Sequence, residues 1–301
     1  MSEKVIKSYK AFDKNMRCRD FQYEVGKEYE MDGDIKCCNR GFHACKNPLE
    51  VWNYYDMLNS RFAEVEQSGK IDEEGNSTKV CSSHIKIKAE LKLADIIKVG
   101  VEWLKDITSP SKFKTDGALN DNGDSNKQIG SSDYSAQIGS SGGYAQIGSS
   151  GGYAQIGSSG GYAKIGSSGG YAKIGSSGGY AKIGSSGGYA QIGSSGGYAQ
   201  IGSSGGSAKI GSSGDSAKIG SSGDSAKIDS TGEDSVIMCA GNNSMAKAKT
   251  GSWITLSEWK WDNEKNRYVP TCVKTEYVDG ENIKADTWYQ LKNGKFVEVQ
   301  K

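Results

Sequence analysis

Residues 137–145 read Gln-Ile-Gly-Ser-Ser-Gly-Gly-Tyr-Ala, and this nine-residue unit recurs as twelve copies between Gln128 and Ser235. An isoleucine occupies the same position in every copy, and an alanine lies two residues before each later isoleucine, from Ala136 to Ala226. Self-similarity at a short fixed period is typical of a solenoid, in which each unit contacts only its neighbours. The repeat therefore decides the fold of the middle of the chain.

Each unit combines a strand-like half with a turn-like half. Alanine and isoleucine, two residues apart, face the same side of a strand, whereas glycine and serine form helices poorly. We predict a strand at Tyr-Ala-Gln/Lys-Ile and a turn at Gly-Ser-Ser-Gly-Gly, where glycine provides positive φ angles. An unstructured Gly/Ser linker is the alternative, and the unbroken isoleucine column argues against it.

Nine residues are too few to circle a core, so we predict two units per coil. The result is a mainly β, two-sheeted β-solenoid of about six coils, roughly 29 Å long at about 4.8 Å per strand. The period and the glycine-rich turn resemble calcium-binding β-roll repeats, whose turns also carry aspartate ligands. Here the turns carry Ser-Ser, and calcium requires about six to eight oxygen ligands, so a calcium-filled roll is not expected.

The tyrosine and Gln/Lys columns point outwards if alanine and isoleucine point inwards. Like positions recur every 18 residues on each side, so the columns divide between two faces. Exposed aromatic rows with interleaved hydrogen-bond donors suit a binding surface. We predict that the partner-binding residues are Tyr144, Tyr153, Tyr162, Tyr171, Tyr180, Tyr189, Tyr198, Lys164, Lys173 and Lys182. The alternative is that stacked rings and amide rows only stabilise the solenoid.

Charge gives little support to a nucleic-acid partner. The repeat carries six lysines and six acidic residues, and the whole chain has a formal net charge of +1. A DNA-binding rod would need a basic surface, and a DNA mimic an acidic one. A nucleic acid or nucleotide remains an alternative that charge does not favour. The chain lacks an 18-residue apolar stretch and a signal-peptide core, so we predict a cytoplasmic protein without membrane contact.

The segments on either side of the repeat have mixed patterns. Residues 1–107 suggest a small α+β head, with a helix starting at Asn47-Pro48, strands at 61–67 and 79–92, and a second helix at 93–105. Residues 108–127 are polar and are predicted to form a linker or an irregular first coil.

We assign 128–244 to the solenoid and 245–301 to a β-hairpin-rich cap that protects its last strand edge. Within the cap, Asn293-Gly294 is typical of a two-residue hairpin turn. Four tryptophans are expected to form its small core: Trp253, Trp259, Trp261 and Trp288.

The seven cysteines are uneven in spacing and odd in number, which argues against a disulfide framework and favours structural thiols. One cluster could hold zinc, although its spacing matches no standard finger: Cys18, Cys37, Cys38, His43 and Cys45. His43 beside a cysteine could also form a nucleophile and base, and packing is favoured over both. No phosphate-binding loop or hydrolase motif is present. We therefore predict no cofactor and no enzyme activity.

Several segments of the head and tail form a recognisable set. They are Lys10-Ala11-Phe12-Asp13, Phe21 to Tyr29, Gly41-Phe42-His43-Ala44-Cys45-Lys46-Asn47-Pro48-Leu49, Arg61-Phe62-Ala63-Glu64-Val65, and Asp286 to Lys295. The chain resembles a family of bacteriophage and prophage proteins in which a domain of unknown function precedes nonapeptide repeats and a Trp-Tyr-rich tail. The resemblance implies an accessory phage gene product and carries no known activity.

These observations predict a binding protein. We expect a phage or prophage accessory protein that inhibits a host factor, such as a component of antiviral defence, through the solenoid surface. One alternative is a virion-associated structural or glycan-binding adhesin, and another is a small enzyme in the head that uses His43. The partner is therefore expected to be a host protein, and assembly into a homo-oligomer is left open.

Overall fold

The protein is described by a computed structural model over residues 4–73, 78–107, 118–120 and 125–299, without the side chains of 105 and 118–120. The chain divides into two compact units, residues 1–103 and 104–301, and each has its own hydrophobic core. Most of the predicted linker, 108–117 and 121–124, lies outside the described residues.

The head is richer in β-structure than the α+β prediction. Its elements are β1 (Ile6–Phe12), β2 (Arg17–Cys18), β3 (Phe21–Gln22), β4 (Glu28–Glu30), β5 (Phe42–Cys45), a 3-10 helix (Pro48–Asn53), β6 (Arg61–Glu73), β7 (Lys79–Leu91) and α1 (Leu93–Ile107). The main sheet has the order β4-β7-β5-β1-β6, and β6 also pairs with β7. Four strands thus close into a ring, around a core that includes Phe12, Phe42 and Ile85.

The predicted helix starts in the head are both present. The side chain of Asn47 accepts a hydrogen bond from the backbone N–H of Leu49 at 3.0 Å, and Pro48 is the first helical residue. This helix is a short 3-10 segment that ends at Asn53, earlier than the sequence pattern predicts. Helix α1 begins at Leu93 as predicted and continues to Ile107.

The repeat forms a solenoid of about seven coils in two stacked parallel sheets. Its strands are β8 (Ala118–Asn120), β9 (Gln128–Ser131), β10 (Gln137–Ser140), β11 (Gln146–Ser149), β12 (Gln155–Ser158), β13 (Lys164–Ser167), β14 (Lys173–Ser176), β15 (Lys182–Ser185), β16 (Gln191–Ser194), β17 (Gln200–Ser203), β18 (Lys209–Ser212), β19 (Lys218–Ser221), β20 (Lys227–Ser230), β21 (Val236–Cys239), β22 (Met245–Lys247) and β23 (Trp253–Asp262). Each repeat strand pairs in register with the strand 18 residues away, as Ile138 does with Ile156. Two units per coil are therefore confirmed.

The strand lies two residues later in each unit than predicted. It covers Gln/Lys-Ile-Gly-Ser, as in β11, and the preceding Tyr-Ala belongs to the turn. The N–H of Ala145 donates to the carbonyl of Gly142 at 3.1 Å, which closes a β-turn over Gly142–Ala145. Alanine still points inwards, because it lies two residues before the buried isoleucine.

The interior contains a third column that the sequence analysis missed. From Ser140 onwards, the first serine of each Ser-Ser pair is buried beside the alanine and isoleucine columns, as at Ser158 and Ser176. Its hydroxyl accepts a hydrogen bond from the N–H of the glycine two residues later, at 3.3 Å from Gly160 to Ser158. The inward serines from Ser149 to Ser203 therefore cap the turns that follow them.

The glycines in the repeat turns serve a different purpose from the one predicted. None of the described repeat glycines has a positive φ angle. A Cβ on Gly178 would instead lie 2.0 Å from the carbonyl oxygen of Gly160, one coil earlier. The first glycine of each pair is required because the backbones of adjacent coils approach so closely.

The coil continues beyond the predicted boundary at residue 244. Ile237, Ala246 and Ile254 extend the buried column through β21, β22 and β23. Strand β23 then turns back as an antiparallel hairpin with β24 (Arg267–Tyr277), and β25 (Tyr289–Lys292) pairs with β26 (Lys295–Glu298). The last hairpin has positive φ at Asn293 and Gly294, which confirms the predicted turn.

The prediction for the cap core is wrong for two tryptophans. Trp253 and Trp261 are 46% and 50% exposed, whereas Trp288 is buried. Residues of the last strands and of the loop before β25 supply the core instead, including Leu256, Ile283 and Tyr289. Successive side chains of β23 alternate between its two faces. Ile254 points inwards, so the neighbouring Trp253 points outwards and is exposed.

Candidate binding surfaces

Two rows of stacked tyrosines run along the corners of the solenoid. We name them the first ladder (Tyr144, Tyr162, Tyr180, Tyr198) and the second ladder (Tyr134, Tyr153, Tyr171, Tyr189). In the first ladder neighbouring ring centroids are 5.0–5.1 Å apart and their planes lie within 8°. Tyr134 was missed because it lies one residue out of the column, and its ring is tilted by 58° against Tyr153.

The stacking decides which part of each ring is available. Both faces of an interior ring such as Tyr162 are covered by the rings of the adjacent coils. The predicted ladder tyrosines are nevertheless 46–57% exposed, so the exposed portion comprises ring edges and hydroxyl groups. The ladders therefore present rows of hydrogen-bonding edges rather than open aromatic faces.

The two sheets differ in the exposure of their outward side chains. Lys164 and Lys182 lie on the sheet that contains β13 and β15, and both are exposed. Lys173 lies on the other sheet and is only 7% exposed. The expectation of an exposed residue is therefore wrong for Lys173, because the outward positions of β14 are buried. The sequence of the repeat does not predict which sheet has exposed outward side chains, because the units of both sheets have the same sequence.

The exposed sheet carries an open groove along its outward face, which we call the glycine groove. It has a volume of about 840 Å³ and runs across the strands from Gln128 to Lys218. Its floor is formed where the outward side chain is missing, at Gly148, Gly166, Gly184 and Gly202. Lys164, Lys182 and Lys218 line the groove on one side. A partner could reach the backbone here between a cationic row and the exposed serines that follow each strand.

The same face becomes apolar towards the cap. Val236 and Met238 continue the columns of Lys218 and Gly220 and are 50% and 52% exposed. Trp253 follows Val236 in register, and its ring lies 5.0 Å from that of Tyr277. The exposed sheet thus passes from a polar, cationic surface to an apolar patch, the composition expected of a protein-binding surface.

His43 holds a backbone group of the neighbouring loop. Its Nε2 accepts a hydrogen bond from the backbone N–H of Cys38 at 3.0 Å. Burial, together with the nearby charge of Lys10, lowers the pKa of His43 below its ordinary value. The ring therefore acts as a neutral acceptor that holds the Cys38 backbone, as the packing interpretation predicts.

The cysteines considered for zinc have other contacts. Cys18 Sγ lies 3.5 Å from Lys10 Nζ, and Cys37 Sγ donates to the carbonyl of Asp72 at 3.2 Å. Over the described residues, no group of three or more His, Cys, Asp or Glu side chains is arranged to hold a metal ion. No disulfide bond joins the cysteines within this part of the chain.

The comparisons with known proteins concern the head alone. Residues 6–99 match the family described as a domain of unknown function (DUF7666). No curated protein and no solved structure matches the chain. Among the described residues, no helix is both long enough and apolar enough to span a bilayer.

Proposed function

We propose that this is a non-catalytic binding protein whose solenoid docks on a protein of the host cell. By the resemblance of its sequence to phage proteins, it acts in an infected or lysogenic cell and blocks a host factor, such as a component of antiviral defence. The observation that carries the proposal is the exposed sheet between two stacked tyrosine ladders. Stacked side chains have little rotational freedom left to lose when a partner binds.

The stacking also favours a protein over a nucleic acid or a glycan. Bases and sugar rings bind to proteins by lying on an open aromatic face. The faces of Tyr162, Tyr171 and Tyr180 are already covered on both sides by neighbouring rings. Tyrosine edges and hydroxyls are instead suited to the polar and backbone groups of a protein surface.

The dimensions and charge of the exposed sheet suit a compact, acidic partner. Six strands line the glycine groove, from Gln128 to Lys218, and five spacings of about 4.8 Å give a length of about 24 Å. This is the scale of a standard protein interface, which buries about 800 Å² on each partner. Lys164, Lys182 and Lys218 would steer an acidic surface towards the groove.

The test is a quantitative pull-down from lysate of a bacterial host, followed by affinity measurement with the captured protein in purified form. The variant Tyr162→Phe/Tyr180→Phe keeps both rings in the stack and removes two exposed hydroxyls. We expect it to weaken binding about tenfold or more. The loss of positive charge in Lys182→Glu should weaken binding further and reduce its dependence on salt.

The matched control is Tyr268→Phe, which removes a hydroxyl from a tyrosine of the cap that is 50% exposed and lies outside both ladders. This variant should bind as well as the unmodified protein. Equal binding of the captured protein to the double variant and to the control variant would contradict the proposal. Recovery of a glycan, instead of a protein, as the specific ligand would also contradict it.

A further inference from the structure

The head contains a concave pocket that the solenoid surface does not involve. Its volume is about 840 Å³, within the range of about 300–1,000 Å³ that is usual for small-molecule sites. Strand β1, the β2–β3 hairpin, the segment 38–45 and the 3-10 helix all contribute to its wall. Its lining residues all belong to the head unit, so the pocket is complete within it.

The buried amino group of Lys10 lies in the wall of this pocket. Lys10 is 5% exposed, and its Nζ donates to the carbonyl of His43 at 2.8 Å. The ring centroids of Tyr23 and Phe12 lie 5.2 and 5.6 Å from Nζ. Within the described part of the chain, Lys10 forms no ion pair with a carboxylate. Burial lowers the pKa of Lys10, because the charged form is costly when no opposite charge lies beside it. An anion in the pocket would offset that cost and stabilise the ammonium form.

Aromatic side chains line the same pocket and are accessible there. Phe21 and Tyr54 are 43% and 49% exposed, although most large aromatic side chains of a small domain are buried. The ring of Phe21 also contacts Tyr23 and Phe42, with centroids 4.8 and 5.8 Å apart. The exposed parts of these two rings form an aromatic platform against which a flat ligand can pack.

Two further cations complete the pocket. Arg19 is exposed, and Lys79 lies with its Nζ 4.6 Å from the ring centroid of Tyr54. Arg19 and Cys38 both have positive φ angles, 55° and 66°, which are unfavourable for these residues. Arg19 has this conformation because it lies in the two-residue turn between β2 and β3, which places its side chain at the pocket. The pocket thus combines three cations, one carboxylate at Asp20 and several aromatic rings.

We propose that the head pocket binds a small ligand that joins a planar aromatic ring to an anionic group, the chemistry of a nucleoside monophosphate. The ring stacks on Phe21 or Tyr54, and the phosphate is bound by Lys10, Arg19 and Lys79. A ligand with only one of these two parts would match the pocket incompletely. An uncharged aromatic ring would provide no anion for Lys10, and inorganic phosphate would leave the aromatic platform exposed. The proposal is independent of the solenoid surface.

The test is isothermal titration calorimetry of the full chain with AMP, GMP, CMP and UMP, and with adenosine and inorganic phosphate separately. We expect one-to-one binding of at least one monophosphate, and binding about tenfold or more weaker for adenosine and for phosphate. Two outcomes would overturn the proposal. One is that none of the four monophosphates binds, and the other is that one separate half binds as tightly as the whole.

Variants of the head localise the site. Lys10→Met removes the buried charge while keeping a chain of similar length. Arg19→Asn removes an exposed charge. Asparagine is suited to this position because it tolerates the left-handed backbone conformation found there. Each should raise the dissociation constant about tenfold or more. The control Arg17→Asn makes the same charge change in the same hairpin, outside the residues that line the pocket, and should change affinity less than about twofold. Retained affinity in both pocket variants would contradict the assignment.

Discussion

Glycine occupies two adjacent positions in each repeat turn, and the two positions have different constraints. A Cβ on the first, Gly178, would lie 2.0 Å from the carbonyl oxygen of Gly160. A Cβ on the second, Gly179, has nothing within 4 Å. The sequence follows this difference, because the first column persists to Gly232 and Gly241 whereas the second becomes Asp215, Asp224, Glu233 and Asn242.

The two glycines provide a matched pair of alanine variants. We expect Gly178→Ala to lower the free energy of unfolding by about 2–3 kcal/mol, because the backbones of two coils must move apart. Gly179→Ala should leave it within about 1 kcal/mol of the unmodified protein, or raise it slightly by restricting the unfolded chain. Urea denaturation followed by circular dichroism measures both. Equal losses in the two variants would show that close approach is not the reason for the first column.

The cysteines also differ in a way that can be measured at single residues. Burial raises the pKa of the Cys81 thiol to about 12 and raises that of Cys239 as well. Cys38 is exposed on the head. Since the thiolate is the reactive species, iodoacetamide at pH 8 should label Cys38 fully and leave Cys81 and Cys239 unlabelled in the folded protein. Peptide mass spectrometry checks this, with urea-unfolded protein as the control in which all three react.

At the residue scale, the sequence supports some assignments and lacks the information for others. The inward columns of isoleucine and alanine are predictable, because a period of two within each unit specifies one face. The role of the first glycine was predicted wrongly. A position that needs a positive φ angle and a position where two backbones approach closely both select glycine, so the sequence does not distinguish them. The burial of Lys173 was not predictable, because its unit is nearly identical to that of Lys164.

Among the structural elements, the loop between β24 and β25 depends on one carboxylate. Asp279 accepts hydrogen bonds from the side chain of Asn282 and from the backbone N–H groups of Glu281 and Ile283, at 2.8–3.0 Å. These bonds lower the pKa of Asp279 to about 2. The loop leads to the buried residues Ile283 and Tyr289, which belong to the solenoid core.

This pKa shift predicts a pH-dependent contribution to stability. Because the folded pKa lies below the ordinary value of 3.8, the ionised form stabilises the fold above pH 3.8. That contribution is lost as pH falls from 3.8 towards 2. Asp279→Asn should therefore be less stable than the unmodified protein at pH 7, and the difference should shrink at pH 2. Thermal unfolding at both pH values is the measurement, and Asp215→Asn at an exposed turn is the control. A difference that stays constant with pH would contradict the assignment.

The strand boundaries show why elements are harder to place than columns. The alternation Tyr-Ala-Gln/Lys-Ile is compatible with a strand, and no residue in it marks the turn. The decisive contact is the hydrogen bond from the alanine N–H to the glycine three residues before it, at 3.1–3.2 Å in the tyrosine-bearing coils up to Ala190. In later coils Ser216 and Ser225 have positive φ angles, so the turn changes conformation where Asp215 and Asp224 replace the second glycine.

For the whole molecule, the repeat specifies the coil and leaves the two sides equivalent in sequence. The structure makes them different, since outward side chains are exposed on β13 and β15 and largely buried on β14 and β16. The closed strand ring of the head and its pocket depend on pairings between distant segments, such as β1 with β6. Such pairings lack a local sequence signal, which is why only the separate helices and two strands of the head were predictable.

The difference between the sides predicts an unusual dependence of stability on deletion length. Deleting residues 164–181 removes one full coil and keeps every later strand on its original sheet. Deleting residues 173–181 removes half a coil, so every later strand moves to the opposite sheet. Val236, Met238 and Trp253 would then continue the sheet whose outward positions are buried. Asp229, which is buried and forms an ion pair with Lys247, would continue the exposed sheet.

We therefore expect the nine-residue deletion to be less stable than the eighteen-residue deletion, although it removes half as many residues. The larger deletion should shorten the rod by about 4.8 Å and change the unfolding temperature by only a few degrees, because each coil interacts with its nearest neighbours. Differential scanning calorimetry gives the unfolding temperatures, and small-angle X-ray scattering gives the change in length. If the nine-residue deletion is as stable as the eighteen-residue deletion, the two sheets are interchangeable. That result would contradict the assignment of the exposed sheet as a distinct binding surface.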